Sequence, residues 1–250
     1  MKRYLEETPI LDFNEPSIQS LVNNRGWSKL EEEEKIKQIY YYVKDEIKFG
    51  YNASDDLKAS EVLADGYGQC NTKSTLFMAL LRAVKIPCRF HGFTIYKDLQ
   101  KGALTPLTYK LAPNEIIHSW IEVYYDGKWL SLEGLILDKD YLKSIQKSFN
   151  DCSDSFCGYG IATESLNNPQ VEWTGQDTFI QKEGIAQDFG LFDSPDDFYN
   201  KYGSNGKGIK KFIYSHFLRH SINRNVERIR KGGFEKGIKP LNLQVKNVSE

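Results

Sequence analysis

The sequence is poor in cysteine and lacks a long apolar run or an excess of charge of either sign. Four cysteines in 250 residues are too few for a disulfide framework, so reduced thiols are expected. Residues 1–10 hold no apolar signal core and no run could span a bilayer, which predicts a cytoplasmic protein that does not associate with a membrane. A net charge of −1 gives no reason to expect a nucleic acid partner.

Motifs that hold cofactors and metals are also missing. No glycine-rich phosphate loop follows a strand, which leaves an acyl-CoA-dependent acyltransferase without support, and no acidic calcium loop is present. One formal set of zinc-ligand types exists, Cys152 and Cys157 with His216 and His220, but the gap between its halves departs from finger-like spacing. We therefore expect no cofactor and no metal.

Helical patterns precede strand patterns in the first half of the chain. Residues 76–81 are apolar on nearly every side of a helix, which predicts a buried central helix that begins at Cys70. Strand patterns follow in three stretches, residues 88–95, 116–125 and 128–133. A helical layer followed by consecutive antiparallel strands is typical of an α+β fold.

We divide the chain after residue 137. Residues 1–137 hold an N-terminal helical layer and the core, whereas residues 138–250 are expected to form a mostly helical C-terminal extension packed on the core. A long helix is predicted over residues 209–230, before two glycines. Residues 97–114 are poorly periodic and end just before the second strand, where an insertion is placed to act as a lid.

Cys70 follows a turn bracketed by Gly66 and Gly68, at the start of the predicted central helix. The positive end of a helix macrodipole favours a thiolate over a thiol. Lys73, one turn further on, adds positive charge. Free cysteines are also among the most buried residues and often act as small apolar side chains, so the turn alone leaves both interpretations open.

A histidine and a carboxylate lie on one face of the predicted hairpin. Residues 126–127, Asp-Gly, predict a two-residue turn that places Tyr125 opposite Lys128. Continuing that register makes His118 and Glu133 diagonal neighbours on the same face, within reach of long side chains. A three-residue loop would instead turn Glu133 to the other face.

Glu122 shares the face of His118 but is expected to be structural or to line the cleft wall. Four residues along one strand separate the two by roughly 13 Å, beyond hydrogen-bond reach. A carboxylate bound to one imidazole nitrogen fixes the tautomer and leaves the other nitrogen to deprotonate a thiol. Taken alone, however, His118 also fits an ordinary strand histidine.

Four stretches resemble the transglutaminase-like superfamily. They are residues 68–70 (Gly-Gln-Cys), residues 80–90 (Leu-Leu-Arg-Ala-Val-Lys-Ile-Pro-Cys-Arg-Phe), residues 118–123 (His-Ser-Trp-Ile-Glu-Val) and residues 126–133 (Asp-Gly-Lys-Trp-Leu-Ser-Leu-Glu). The resemblance covers about residues 58–137. It implies a papain-like α+β core with Cys70 as nucleophile, His118 as base and Glu133 at the position of the acid, where the family usually has Asp.

Five further residues are candidates for the oxyanion hole or the cleft. They are Gln69, Tyr51 and Asn52 as second oxyanion donors, and Trp120 and Glu122 near the cleft. The natural first donor is the backbone N–H of Cys70. The sequence does not separate the three candidates for the second donor.

The leading hypothesis is cysteine-dependent acyl transfer or amide hydrolysis, peptidase-like or amidase-like, through a Cys-His-Glu triad and a thioester intermediate. The substrate would be a peptide, a protein side-chain amide or a small amide, with water favoured as the acceptor. Transamidation of protein glutamine is an alternative. A catalytically silent domain that binds peptide or protein is a second alternative, supported by glutamate in place of aspartate. The oligomeric state is left open.

Overall fold

A computed structural model describes residues 1–152, 155–205 and 212–234. The α-helices, in chain order, are α1 (Pro16–Arg25), α2 (Glu32–Tyr41), α3 (Ala59–Asp65), α4 (Cys70–Ala83), α5 (Pro106–Leu111), α6 (Lys139–Ser148), α7 (Pro195–Tyr202) and α8 (Arg219–Arg230). Short 3₁₀ turns lie at Lys2–Leu5, Trp27–Lys29, Lys97–Gln100 and Lys182–Gly184, and π turns at Tyr42–Glu46 and Tyr214–Leu218. The strands are β1 (Lys48–Phe49), β2 (Tyr67–Gly68), β3 (Cys88–Tyr96), β4 (Glu115–Tyr125), β5 (Lys128–Leu132), β6 (Phe156–Gly158), β7 (Ile161–Thr163) and β8 (Ile185–Phe192).

Helix α4 is the buried centre of the fold, and residues 70–82 are all buried. Its apolar side chains pack on helices of the N-terminal layer and on one face of the main sheet, where Ile121 and Val123 join the same core cluster. Arg82 is tolerated there because its guanidinium donates to main-chain carbonyls, including that of Cys88 at 3.0 Å. The predicted α+β fold with a central helix packed on an antiparallel sheet is confirmed.

The main sheet has the strand order β5-β4-β3-β8, with every neighbouring pair antiparallel. Tyr125 pairs with Lys128 across the two-residue turn, the register that the hairpin predicts. Asp126 and Gly127 both have positive φ, 48° and 76°, as such a turn requires. Pairing of β5 with β4 ends at Leu132, so the residue after it leaves the sheet.

The C-terminal part of the chain contributes both helices and strands. Strand β8 supplies the fourth strand of the main sheet, and β6 pairs with β7 in a small hairpin. The sequence does not reveal β8, because an edge strand that is only partly buried and interrupted by register shifts carries little apolar alternation. Of the helix predicted over residues 209–230, the described part contains the π turn and α8, and residues 209–211 lie outside the described residues.

Helix α8 is held against the core by amide side chains. Asn223 accepts a hydrogen bond from the backbone N–H of Tyr51 at 2.7 Å and donates one to its carbonyl at 3.0 Å. Asn225 donates to the carbonyl of Gly102 at 2.9 Å. The C-terminal helix therefore fixes two loops of the core. In the described ranges, no helix has the length and apolar character needed to cross a membrane.

Lys73 lies fully buried in α4, one turn after Cys70. Its ammonium group donates to the carbonyls of Lys44 and Ile136, each at 3.0 Å, and so ties the helix to a π turn and to the loop after β5. Burial lowers the pKa of Lys73 to about 7, although the charge of Asp138 works in the opposite direction.

Replacing Lys73 with methionine tests this buried amine. Folded Lys73 releases its proton near pH 7, whereas an unperturbed lysine holds it to 10.5. Between these values the unfolded chain binds more protons, so Lys73 makes the wild-type free energy of unfolding rise with pH. Lys73→Met lacks that contribution. We expect the free energy of unfolding of the variant, minus that of the wild type, to fall as the pH increases from about 7 to about 10.

Urea denaturation at four pH values measures this difference. Lys147→Met, at an exposed position of α6, is the matched control, and its difference from the wild type should not depend on pH in this way. A pH-independent difference for Lys73→Met would contradict the assignment.

Candidate active site

Cys70 is delivered to the start of α4 by a tightly packed turn. Helix α3 ends at Gly66, which has a left-handed φ of 69°, and β2 then leads into the helix. A Cβ atom at Gly68 would lie 2.7 Å from the hydroxyl of Thr72, so only glycine fits there. The backbone N–H of Gln69 donates to that hydroxyl at 3.1 Å and caps the helix. Cys70 is the first helical residue and is 6% exposed.

Polar contacts lock the first turns of α4 to strand β4 on both sides of His118. The Asn71 side chain donates to the carbonyl of Ile117 at 3.0 Å and accepts from the hydroxyl of Ser119 at 3.0 Å. The hydroxyl of Ser74 donates to the carbonyl of Ser119 at 3.3 Å. The main chain of His118 is thereby held beside the helix end that carries the cysteine.

His118 and Glu133 form a buried pair. Nε2 of His118 lies 2.7 Å from Oε1 of Glu133, and both side chains are completely buried. The other carboxylate oxygen, Oε2, accepts hydrogen bonds from the backbone N–H groups of Ile180 and Gln181 at 2.9 and 2.8 Å. Glu133 follows the last paired residue of β5, so its side chain reaches His118 from beyond the end of the strand pairing. A glutamate side chain is one methylene longer than that of the aspartate usual in the family.

Both Cys70 and Glu133 act on the imidazole of His118. Burial lowers the pKa of His118, but Cys70 and Glu133 outweigh it and raise the pKa to about 10. Since Glu133 occupies Nε2, Nδ1 is the nitrogen that remains for the thiol. Among the described residues Nδ1 has no hydrogen-bond partner. The site can therefore hold a protonated imidazole beside the sulfur at neutral pH.

Cys70 opens on a cleft of about 390 Å³. Tyr51 and Gln69 lie at its base, beside the cysteine. Residues between 104 and 113 of the insertion and between 213 and 218 of the C-terminal part contribute two wall segments to its lining. The insertion for which a lid role is predicted is thus a folded wall of the cleft, and it contains α5.

Two of the candidate oxyanion donors line the cleft, and the third does not. The Gln69 amide nitrogen donates to Asp55 at 3.2 Å, which uses one of its two N–H groups. The hydroxyl of Tyr51 donates to the side chain of Gln100. Asn52 lies outside the lining; its side chain accepts from Thr72 at 2.6 Å, so its role is to hold the turn before the helix.

Trp120 and Glu122 also lie outside the cleft lining. The indole of Trp120 packs on Phe93, with ring centroids 4.0 Å apart. Glu122 accepts from Arg89 at 2.8 Å and lies 2.9 Å from Nδ1 of His91, so it joins β4 to β3. Neither residue touches the buried pair of His118 and Glu133 through a hydrogen bond that the structure describes.

Asp55 and Asn205 are site residues that sequence reasoning missed. Asp55 accepts from the side chains of Gln69 and Asn71 and from the backbone N–H of Asn205, the last at 2.9 Å. Asn205 in turn accepts from the N–H of Ile117 at 3.0 Å. The sequence offers one signal for this network, because Asn71, a polar residue that donates to Asp55, directly follows Cys70. No local pattern signals a contact that joins positions 55 and 205.

Gln181 is a third missed residue. Its amide nitrogen donates to the carbonyl of Gly160 at 2.6 Å, which assigns the two ends of the amide. Its carbonyl oxygen is buried and has no hydrogen-bond partner in the described part of the chain, although the residue lines the cleft. A buried acceptor without a partner is uncommon in a folded protein.

The formal zinc set is not assembled. In residues 1–152, 155–205 and 212–234, no group of three His, Cys, Asp or Glu side chains is placed to hold a metal ion. All four cysteines are free thiols.

Residues 20–134 match the sequence profile of a family described as the transglutaminase-like superfamily, and the matched range contains Cys70, His118 and Glu133. No curated protein sequence gives a significant match. Among solved structures, the chain is similar to a candidate cysteine protease from Cytophaga hutchinsonii, with a TM-score of 0.43 and 14% identity over 78% of this chain. It is also similar to red sea bream transglutaminase, with a TM-score of 0.30 and 15% identity over 53% of this chain. The chain spans 47% and 25% of the lengths of those two proteins.

The protonation of His118 can be measured directly. Ring ¹⁵N shifts should show an imidazolium that persists well above neutral pH and titrates near pH 10. Cys70→Ser and Glu133→Gln should each lower the pKa of His118, because each removes one of the groups that stabilise the proton. Cys152→Ser, a partly buried cysteine outside the cleft lining, is the control and should leave the value unchanged. Titration of wild-type His118 near pH 6.5 would contradict the site electrostatics.

Proposed function

We propose that the protein, whose residues 20–134 match the transglutaminase-like superfamily, hydrolyses or transfers the acyl groups of amides through a thioester on Cys70. The observation that supports this proposal most directly is the pair formed by His118 and Glu133 at 2.7 Å beside the cysteine. A buried imidazole oriented by a carboxylate is the partner that a nucleophilic thiol requires.

In the proposed reaction, the Cys70 sulfur attacks the carbonyl carbon of the amide. The carbonyl oxygen takes the negative charge, with the Cys70 backbone N–H and the free N–H of the Gln69 amide as candidate donors. As the intermediate collapses, Nδ1 of His118 gives its proton to the leaving amine, and a thioester remains. His118 then accepts a proton from water, or from an amine, that attacks the thioester, and the Cys70 sulfur leaves as the thiolate beside the imidazolium.

Glu133 is proposed as a positioning residue that acts through His118. Its carboxylate holds the Nε2 side of the ring, so Nδ1 is directed to the sulfur and the imidazolium is stabilised. The N–H groups of residues 180 and 181 hold its second oxygen. These two bonds support a role for glutamate at a position where an aspartate would be one methylene shorter.

The division of the chain after residue 137 remains a proposal, and the contacts support a role for the C-terminal extension in the site. Residues 180–181 hold Glu133, Asn205 holds Asp55, and residues 213–218 form a wall of the cleft. We propose that the extension completes the active site of the core.

A catalytically silent domain that binds peptide in the cleft is the second candidate function. The observation that favours it is the burial of the thiol, because Cys70 is only 6% exposed and His118 is completely buried. Reactivity of the thiol separates the two candidates.

Alkylation with iodoacetamide tests the nucleophile. At pH 7 we expect Cys70 to react about tenfold faster than glutathione, since a free thiol is only a few per cent ionised there. His118→Ala should bring the rate to that of glutathione or below, and Glu133→Gln should lower it as well. Glu122→Gln, which alters the same strand face outside the cleft, is the matched control and should react like the wild type. Mass spectrometry of the labelled peptide assigns the rate to Cys70.

If wild-type Cys70 reacts no faster than glutathione and His118→Ala leaves that rate unchanged, the enzymatic proposal fails and the silent domain is favoured.

The acceptor is tested with casein and dansylcadaverine in one reaction. We expect new amino groups to be released from casein, the product of water as acceptor, and Cys70→Ala to abolish their release. Incorporation of dansyl fluorescence into casein without release of amino groups would instead identify transamidation. Fluorescence and amine determination on the same samples distinguish the two results.

A further inference from the structure

Exposed apolar side chains are concentrated in two segments that contribute residues to the cleft lining. Of the eight large apolar side chains that are exposed in the described residues, five belong to α5 or to residues 212–217. They are Leu107, Leu111, Phe212, Ile213 and Phe217. Leu107 and Leu111 lie one turn apart on α5, and Ile213 and Phe217 are four residues apart in the C-terminal segment. Such a concentration on a folded protein indicates a binding surface.

The apolar surface continues from the mouth to the nucleophile. Leu111 and Ile213 are 64% and 43% exposed, and both also line the cleft. Deeper lining residues include Leu104 and Leu218, and the lining reaches Cys70 itself. Because one continuous surface joins the exposed side chains to the sulfur, a ligand held at the mouth can place a carbonyl group at Cys70.

The cleft offers an anionic ligand no counter-ion among the described lining residues. Asp55 is the single charged side chain in that lining. One of its oxygens accepts from Gln69 and Asn71, and the other accepts from the N–H of Asn205. An anion brought into the cleft would lose water without gaining a counter-ion, and a cation would meet only a carboxylate whose two oxygens already accept hydrogen bonds.

Gln181 brings one unused hydrogen-bond acceptor to the cleft residues. The carbonyl oxygen of Gln181 is buried without a hydrogen-bond partner in the described residues, and the residue is 1% exposed. It suits the N–H group of a secondary amide. An uncharged amide flanked by apolar surface is therefore the ligand that matches the cleft.

We propose that the substrate carries a bulky, uncharged apolar group next to the amide that Cys70 attacks, and that α5 and residues 212–218 bind this group. The assignment of the attack to Cys70 rests on the proposed function. Burial of a phenyl-sized group on such walls corresponds to a preference of about tenfold or more.

Three chloroacetamides that differ only in the nitrogen substituent test this substrate class. The substituents are 2-phenylethyl, 2-carboxyethyl and 2-(trimethylammonio)ethyl, which are apolar, anionic and cationic. The rate of Cys70 alkylation by each reagent is divided by its rate with glutathione, which removes intrinsic reactivity. We expect the normalised rate of the phenylethyl reagent to exceed both others by about tenfold or more.

Paired surface variants assign the preference to the cleft walls. Leu111→Ser combined with Ile213→Ser should remove most of the preference, while their exposure means that the fold is retained. Leu191→Ser is the matched control, since Leu191 is 46% exposed on β8 outside the cleft, and it should keep the wild-type preference. Urea denaturation verifies that each variant is folded.

Equal normalised rates in the wild type would overturn the proposal, and so would a preference that the double variant retains. A wild type that shows no preference but dimerises through these side chains, as judged by gel filtration of the double variant, would identify a self-association surface instead. The ratios between reagents do not depend on the absolute reactivity of Cys70. A slow reaction with iodoacetamide therefore contradicts the proposed function alone, whereas equal ratios contradict the substrate class alone.

Discussion

The site depends on the side chain of Asn71, which joins the first turn of α4 to strand β4. Its amide makes hydrogen bonds in both directions, to the carbonyl of Ile117 and from the hydroxyl of Ser119. In a buried setting an unmade hydrogen bond is expensive, so the helix end and the strand cannot slide past each other without loss of stability. Cys70 precedes this anchor and His118 lies between the two strand positions it holds. The relative placement of sulfur and imidazole follows from one amide group.

Local patterns predict the parts of the fold whose contacts are short in sequence. The apolar run after Cys70 predicts the central helix, and the Asp-Gly turn at residues 126–127 predicts the hairpin and its register. Both inferences succeed because helical and strand periodicity and turn chemistry are properties of neighbouring residues. The register brings Glu133 near His118, but Glu133 lies just beyond the last β4–β5 pair, and its contact with His118 also depends on the N–H groups of residues 180 and 181.

Contacts that join distant segments could not be predicted in this way. Strand β8 pairs with β3 about a hundred positions earlier, Asn205 meets Asp55, and residues 180–181 meet Glu133. Such contacts depend on how loops close around the finished core, and loops carry no periodic signal. The same limit explains why only some of the candidate oxyanion and cleft residues line the cleft. Gln69 and Tyr51 face the cleft, whereas Trp120 shares the face of His118 yet packs into an aromatic cluster.

The main chain and the side chain of Gln181 serve different parts of the site. Its backbone N–H holds the carboxylate of Glu133, while its side chain lines the cleft. A backbone N–H is present in every residue except proline, so the support of the carboxylate places little demand on the identity of this residue. The chemistry of the cleft wall is consequently separable from the geometry of the buried pair. A substitution at position 181 can therefore change which ligands the cleft accepts and leave the orientation of the His118 imidazole unchanged.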